Sequence, residues 1–156
     1  MARMPETNQA TRKGQLTAEV MGALIRRPDL RVVKVADGTP DNWSSLAETL
    51  PVGIEVLDFY HAAERLSAAR GAAYGEGTSA YQKRVETLCT VRRDDPEGVD
   101  KVLGVLCRLR TRYPRRQAIH TALAYVRAHR HRMPYAHLRA QHLPIGSGVV
   151  EAACKL

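Results

Sequence analysis

The segment 31–61 changes twice between the apolar pattern of a strand and that of a helix. A first β-branched run, at 32–35, stops at the turn signal Asp37-Gly38. The next apolar residues share the spacing of one helical face: Trp43, Leu46, Ala47 and Leu50. A second apolar run, 54–57, then ends at Asp58. The order strand, helix, strand predicts a parallel βαβ unit.

Helical periodicity dominates the rest of the chain. We expect a disordered tail at 1–14 because apolar periodicity is missing there, and an amphipathic helix from Leu16 that stops before Pro28. The helix after Asp58 is expected to end at Gly71, where a glycine-rich loop begins. That loop lacks the Gly-Lys-Ser/Thr ending of a phosphate-binding loop, so we assign it no phosphate role. Further helical faces are predicted around 81–89, 99–106 and 119–126, and after Gly148.

Two aspartates follow the two predicted strands. Because parallel strands point the same way, Asp37 and Asp58 are expected at the same carboxyl edge of the sheet, where open α/β sheets build their sites. Carboxylates and phosphate oxygens are the ligands that Mg²⁺ prefers, so Asp37 is a candidate ligand. The alternative is that Asp37-Gly38 only forms a turn.

The stretch around Asp37 also resembles half of the motif of haloacid dehalogenase-like phosphatases. Ala36-Asp37-Gly38-Thr39 fits its second part, but Val35 occupies the position of the nucleophilic aspartate. A phosphatase-like hydrolase is therefore a third functional hypothesis, and it lacks its nucleophile.

Two further acidic positions are candidates for chemistry. Glu151 is the single acid from Lys101 onward and lies in an apolar setting; a helix start favoured by the helix dipole is the alternative explanation. A capping box with Ser147 would require the glutamate one position earlier. Asp58 and His61 lie one helical turn apart, either as a pair that orients the helix or as catalytic groups.

The charge of the chain favours a polyanionic partner. The net charge is +8, from 24 Lys and Arg against 16 Asp and Glu, and nucleic acid is a better match than a membrane. The aromatic content of 5% argues against base stacking as the main binding mode. His129 and His131 have metal-ligand spacing, but a solvated basic face is the favoured interpretation.

Cysteine usage indicates a reducing compartment, and hydropathy indicates a chain without a membrane span. Three widely spaced cysteines suit buried thiols rather than a disulfide framework: Cys89, Cys107 and Cys154. No apolar run approaches the length of a membrane span, and the amino terminus has no apolar leader. A cytoplasmic location without a membrane partner is the expectation.

Several stretches together resemble DDE transposases of bacterial insertion sequences, in the branch related to Mutator-like elements. They are Val-Ala-Asp-Gly, Val-Leu-Asp-Phe-Tyr-His-Ala, Arg-His-Arg-Met-Pro-Tyr-Ala and Leu-Pro-Ile-Gly-Ser-Gly-Val-Val-Glu-Ala-Ala-Cys-Lys. The last stretch is the most specific, and the resemblance covers about 16–155.

The resemblance implies an α/β fold, with a partial RNase H-like core of parallel βαβ form and a large all-helical insertion. The core would occupy 15–59, the insertion 60–135, and 136–156 would return to the core with the glutamate helix. Asp37 and Glu151 would match the second and third metal-binding acids, and Asp58 with His61 the family's Cys/Asp-x-x-His signature. The cofactor implied is Mg²⁺ or Mn²⁺.

The family's first aspartate has no counterpart. Glu6 falls in the tail, Glu19 in a helix and Asp29 in a loop, and the chain ends five residues after Glu151. We therefore expect a fragment of a DDE transposase that is inactive alone, from a parent that cleaves DNA and transfers strands with Mg²⁺.

The alternative hypothesis is a non-catalytic, basic DNA-binding protein that interferes with an intact transposase. Double-stranded DNA at transposon ends would be the partner, together with a second copy of the chain or an intact transposase. The arginines expected to track DNA phosphates are Arg108, Arg112, Arg115, Arg116, Arg127, Arg130 and Arg132.

Overall fold

The computed structural model describes residues 7–75 and 90–146, with side chains from residue 11 onward. This part of the chain contains two strands and six helices with defined ends. In order they are α1 (Thr7–Arg26), β1 (Val33–Ala36), α2 (Pro40–Thr49), β2 (Ile54–Leu57), α3 (Phe59–Tyr74), α4 (Gly98–Arg112), α5 (Gln117–His129), a 3₁₀ turn (Arg130–Arg132) and α6 (Tyr135–Ala140). Residues 90–94 are also helical.

β1 and β2 form a two-stranded parallel sheet. The backbone N–H of Ile54 donates to Val32 O at 2.9 Å, and that of Asp58 donates to Ala36 O at 2.8 Å. Both partners advance by four residues between these bonds, which is the register of parallel strands. With α2 as the crossover, the predicted βαβ unit is present, and the mostly helical structure is compatible with a mixed α/β class.

The described residues divide into two compact units. The first contains the chain as far as Lys34 together with Thr39–Ile54; the second contains Val35–Gly38 and the chain from Glu55. In the first unit, Thr17 Oγ1 on α1 donates to Thr49 O at the end of α2 at 2.8 Å.

Lys34 is buried in the first unit, and none of the ion pairs among the described residues includes it. Its Nζ donates to Leu46 O at 3.2 Å and to Leu50 O at 3.3 Å, at the carboxyl end of α2. Helix ends leave carbonyls unsatisfied and carry a partial negative charge, so they stabilise a cation. This contact explains how a lysine is tolerated within an otherwise apolar strand.

The second unit is held by apolar packing of α3 and α4 against α5. Its core residues are almost completely shielded from solvent: Leu66 and Ala69 on α3, Val102 and Leu106 on α4, and Ile119, Ala122 and Val126 on α5. The spacing of these residues is that of amphipathic helices, as the sequence predicts for α4 and α5.

Arg92 is the largest fully buried side chain of this unit, at 1% exposure. Its Nη2 donates to Phe59 O at 2.8 Å, and its guanidinium lies 4.1 Å from the centre of the Phe59 ring. Tyr135 contributes a second ring at 5.5 Å. Aromatic faces attract a guanidinium, which lowers the cost of burying its charge.

Two predicted boundaries are wrong. α1 begins at Thr7 within the segment expected to be a disordered tail, and α3 continues through Gly71 to Tyr74 where a loop was expected. Residues 7–15 are polar but contain good helix formers, which periodicity of apolar residues does not detect. A helical glycine costs only about 1 kcal/mol relative to alanine, so α3 tolerates Gly71.

The predicted helix at 81–89 and the final helix lie outside the described residues. Within 7–75 and 90–146, no helix is both long and apolar enough to cross a membrane.

We predict that Tyr135→Phe destabilises the second unit. The Tyr135 hydroxyl donates to Leu57 O at 2.9 Å, and both residues are buried. Removing a buried donor costs about 1–2 kcal/mol. Urea unfolding of the two proteins measures the loss. Tyr113→Phe is the matched control, since its hydroxyl has no hydrogen bond among the described residues; equal effects would contradict the prediction.

Candidate functional site at the carboxyl edge of the sheet

The structure brings the ends of β1 and β2 together. Asp37 directly follows β1, and Asp58 directly follows β2. Since the Asp58 N–H donates to Ala36 O at 2.8 Å, the two aspartates belong to the same carboxyl edge. This juxtaposition is the one that the sequence predicts.

Asp58 acts as the N-cap of α3. Its side chain is buried, at 5% exposure, and its Oδ1 accepts from Tyr60 N at 2.8 Å and from His61 N at 3.4 Å. His61 Nδ1 lies 3.7 Å from the same oxygen, with a side chain that is 53% exposed. Of the two interpretations of this pair, the geometry supports the one in which it orients the helix.

Gly38, next to Asp37, is covered by the ring of Tyr125 on α5. A Cβ at Gly38 would lie 2.3 Å from Tyr125 Cε2 and 2.7 Å from its hydroxyl oxygen. No side chain fits at that distance, so packing requires glycine here. The sequence suggests only a turn for Asp37-Gly38; the structure adds close approach to a helix.

Tyr125 lies among groups of different charge. The Arg65 guanidinium is 5.6 Å from the centre of its ring, and the ring of His129 is 4.8 Å away. The pKa of Tyr125 is raised, mainly by burial. Arg65 and the Gly38 backbone act to lower this pKa, and the charge of Asp37 acts to raise it. Tyr125 is therefore a neutral hydroxyl at neutral pH.

His129 has a lowered pKa, mainly through burial and then through the positive charges of Arg132 and His131. The Gly38 backbone acts in the opposite direction but more weakly. Because burial disfavours the charged form of an imidazole, His129 adds no positive charge beside Gly38 at neutral pH. His131 is exposed, so the two histidines differ in environment despite their metal-ligand spacing.

The chain returns to this edge at Ile145 and Gly146. Ile145 O accepts from Phe59 N at 3.0 Å, directly after Asp58. A Cβ at Gly146 would lie 3.0 Å from Tyr60 Cε2 and 3.9 Å from Asp58 Oδ1. Glu151, the third predicted site residue, lies outside the described residues.

The described residues contain no group of three or more His, Cys, Asp or Glu side chains suited to holding a metal ion. Asp37 is half-buried, and Asp58 directs one carboxylate oxygen to the backbone of α3. On the described residues alone, a metal at this edge would lack a full donor set.

The arginines predicted to contact DNA fall into two groups. Arg130 pairs with Asp100 at 2.8 Å, and Arg132 pairs with Glu55 at 2.7 Å. The other five are exposed and have no acidic side chain of the described chain within ion-pair distance: Arg108, Arg112, Arg115, Arg116 and Arg127. A guanidinium that already binds a carboxylate must release it before it binds phosphate, so the second group is better placed.

Comparison with known proteins adds no relative to this description. No protein-family model matches the chain, and no curated protein or solved structure is significantly similar to it.

We predict that Asp58 stabilises α3 as a cap rather than through its charge. Asp58→Ala should cost about 1–2 kcal/mol of stability, because two backbone N–H groups lose their acceptor. Asp58→Asn retains an amide oxygen and should cost much less, since asparagine is an equally good N-cap. Thermal and urea unfolding of both variants measure this; equal losses would contradict the capping role.

Proposed function

We propose that this chain is a fragment of a DDE transposase with an RNase H-like core. The parent activity is Mg²⁺-dependent DNA cleavage and strand transfer. The observation that supports it is the shared carboxyl edge of β1 and β2, where Asp37 and Asp58 follow adjacent parallel strands. Open α/β sheets build their sites at such an edge.

The return of the chain to the edge also supports this proposal. Gly146 packs on Tyr60 near Asp58, and Glu151 follows it by five residues. An extended chain spans at most about 3.3–3.6 Å per residue, so five residues can bridge at most about 18 Å. The covalent chain therefore allows the glutamate to reach the edge that carries Asp37.

In the proposed parent enzyme, Asp37 and Glu151 would help to hold the divalent ions, Mg²⁺ or Mn²⁺. Such ions activate the attacking hydroxyl and stabilise the leaving oxygen of a phosphodiester. Asp58 would fix the start of α3, and Tyr125 would fix the backbone of Gly38 beside Asp37. A third carboxylate, required by the family, has no counterpart at the described edge.

We predict that the chain alone does not nick DNA. With supercoiled plasmid and Mg²⁺ or Mn²⁺, the wild type and Asp37→Asn should both remain at background, because the donor set for the metal ions is incomplete. Agarose gels of nicked and supercoiled plasmid provide the measurement. Metal-dependent nicking that Asp37→Asn abolishes would show a complete active site and overturn the fragment interpretation.

A second candidate function is supported by a different observation. Five exposed arginines of the second unit have no acidic partner in the described chain, and the net charge is +8. A non-catalytic DNA-binding protein could use them to compete with an intact transposase for DNA ends or subunits. The phosphatase hypothesis gains no such support, because Val35 lies within β1 and offers no nucleophile.

We predict sub-micromolar binding to a short labelled DNA duplex at ~50 mM salt, with a strong loss of affinity at ~200 mM. Contacts to phosphates release counterions, so the logarithm of the affinity falls linearly with that of the salt concentration. Fluorescence anisotropy across a salt series measures both quantities. Absence of binding at ~50 mM salt would contradict this second function.

A further inference from the structure

A cationic depression lies between α4 and α5, away from the sheet edge. Its volume is about 510 Å³, and the polar residues that line it are Arg110, Gln117, His120, Thr121 and Arg127. None of its lining residues is acidic. The lining therefore offers hydrogen-bond donors and positive charge, which are the requirements of an anion.

A second depression lies beside the first, and a residue lining one contacts a residue lining the other. It is lined by the loop between α4 and α5: Tyr113, Pro114, Arg115 and Arg116. His120 Nε2, from the first depression, lies 2.8 Å from Pro114 O in the second. Four arginines thus line two neighbouring depressions, which together we call the cationic track.

Another depression on the same unit has a different charge pattern, because acidic as well as basic side chains line it. Arg70, Lys101 and Arg108 line it, but so do Glu97 and Asp100. Lys101 is in addition hydrogen-bonded to Asp95. Acidic side chains thus offset part of its positive charge, whereas no acidic residue lines the cationic track.

Arg127 on α5 is held by a contact that does not neutralise its positive charge. Arg127 Nη2 lies 3.5 Å from Cys107 Sγ on α4, and a thiol is only a weak acceptor. On α5, His120, Ala124 and Arg127 recur at helical spacing (i, i+4, i+7), and all three line the depression. The guanidinium is thus directed toward the depression with its charge available to a ligand.

We propose that the cationic track binds phosphate oxyanions, with Arg110 and Arg127 at one phosphate and Arg115 and Arg116 at the next. Guanidinium groups bind phosphate through paired, charge-assisted hydrogen bonds. Two adjoining cationic depressions suit the repeated charges of a nucleic-acid backbone. This inference deepens the proposed DNA-binding function, because it gives the contact surface and its ligand chemistry.

The decisive experiment compares two double variants with the same change in net charge. Arg110→Gln/Arg127→Gln removes the first phosphate position. Arg27→Gln/Arg139→Gln is the control, because these arginines pair with Asp29 and Asp94. Duplex DNA binding is measured by anisotropy over a salt series, and thermal unfolding checks that both variants fold.

For the track variant we expect an affinity at least ~10-fold lower and a salt slope smaller by about 0.9, because one phosphate contact is lost. The control should change the affinity by less than ~3-fold and leave the slope close to that of the wild type. Equal losses in both variants would show that only net charge matters and would overturn the proposal. An unchanged track variant would overturn it as well.

Inorganic phosphate distinguishes the two sources of the oxyanion. It is titrated into the wild type while arginine side-chain signals are followed by NMR. If the signals of Arg110 and Arg127 shift with phosphate but the protein does not bind duplex, the site binds free phosphate. That outcome would contradict the DNA-binding function and leave the phosphate site standing. If phosphate shifts no arginine signal and the track variant binds duplex like the wild type, the proposed site is excluded.

Discussion

The junction between β2 and α3 is the constraint on which the second unit depends. Three consecutive residues, 57–59, form hydrogen bonds to four distant parts of the chain. Asp58 N binds β1, Phe59 N binds the segment at Ile145, Phe59 O accepts from Arg92, and Leu57 O accepts from Tyr135. Because the Asp58 side chain also caps α3, the same residues end the strand and begin the helix.

These bonds explain how so small a sheet is maintained. A two-stranded sheet is marginal by itself in water. Here its carboxyl edge is fixed by long-range bonds and by the aromatic rings of Phe59 and Tyr135, which meet edge to face at 5.3 Å. Arg92 occupies the space beside these rings, so π faces and the Phe59 carbonyl oxygen stabilise its buried charge.

The sequence predicts what depends on local periodicity and misses what depends on distant contacts. The βαβ unit and the apolar faces of α4 and α5 follow from spacing alone. The contact between Gly38 and Tyr125 joins residues far apart in the chain and leaves no local pattern. Burial of Arg92 is equally hidden, because an isolated arginine is usually a surface residue. Nor does the sequence separate paired from unpaired arginines, since the acid that binds Arg132 is 77 residues away.

α5 relates the two candidate functions to each other. Successive residues of a helix are about 100° apart, so Tyr125 and Arg127 point in directions that differ by about 160°. Tyr125 covers Gly38 beside Asp37, whereas Arg127 lines the cationic track. α5 therefore contacts the backbone beside Asp37 with one face and contributes Arg127 to the cationic track from another. Loss of a carboxylate at the sheet edge would leave the cationic face intact, so an incomplete catalytic site and a working DNA-binding surface are compatible in one chain.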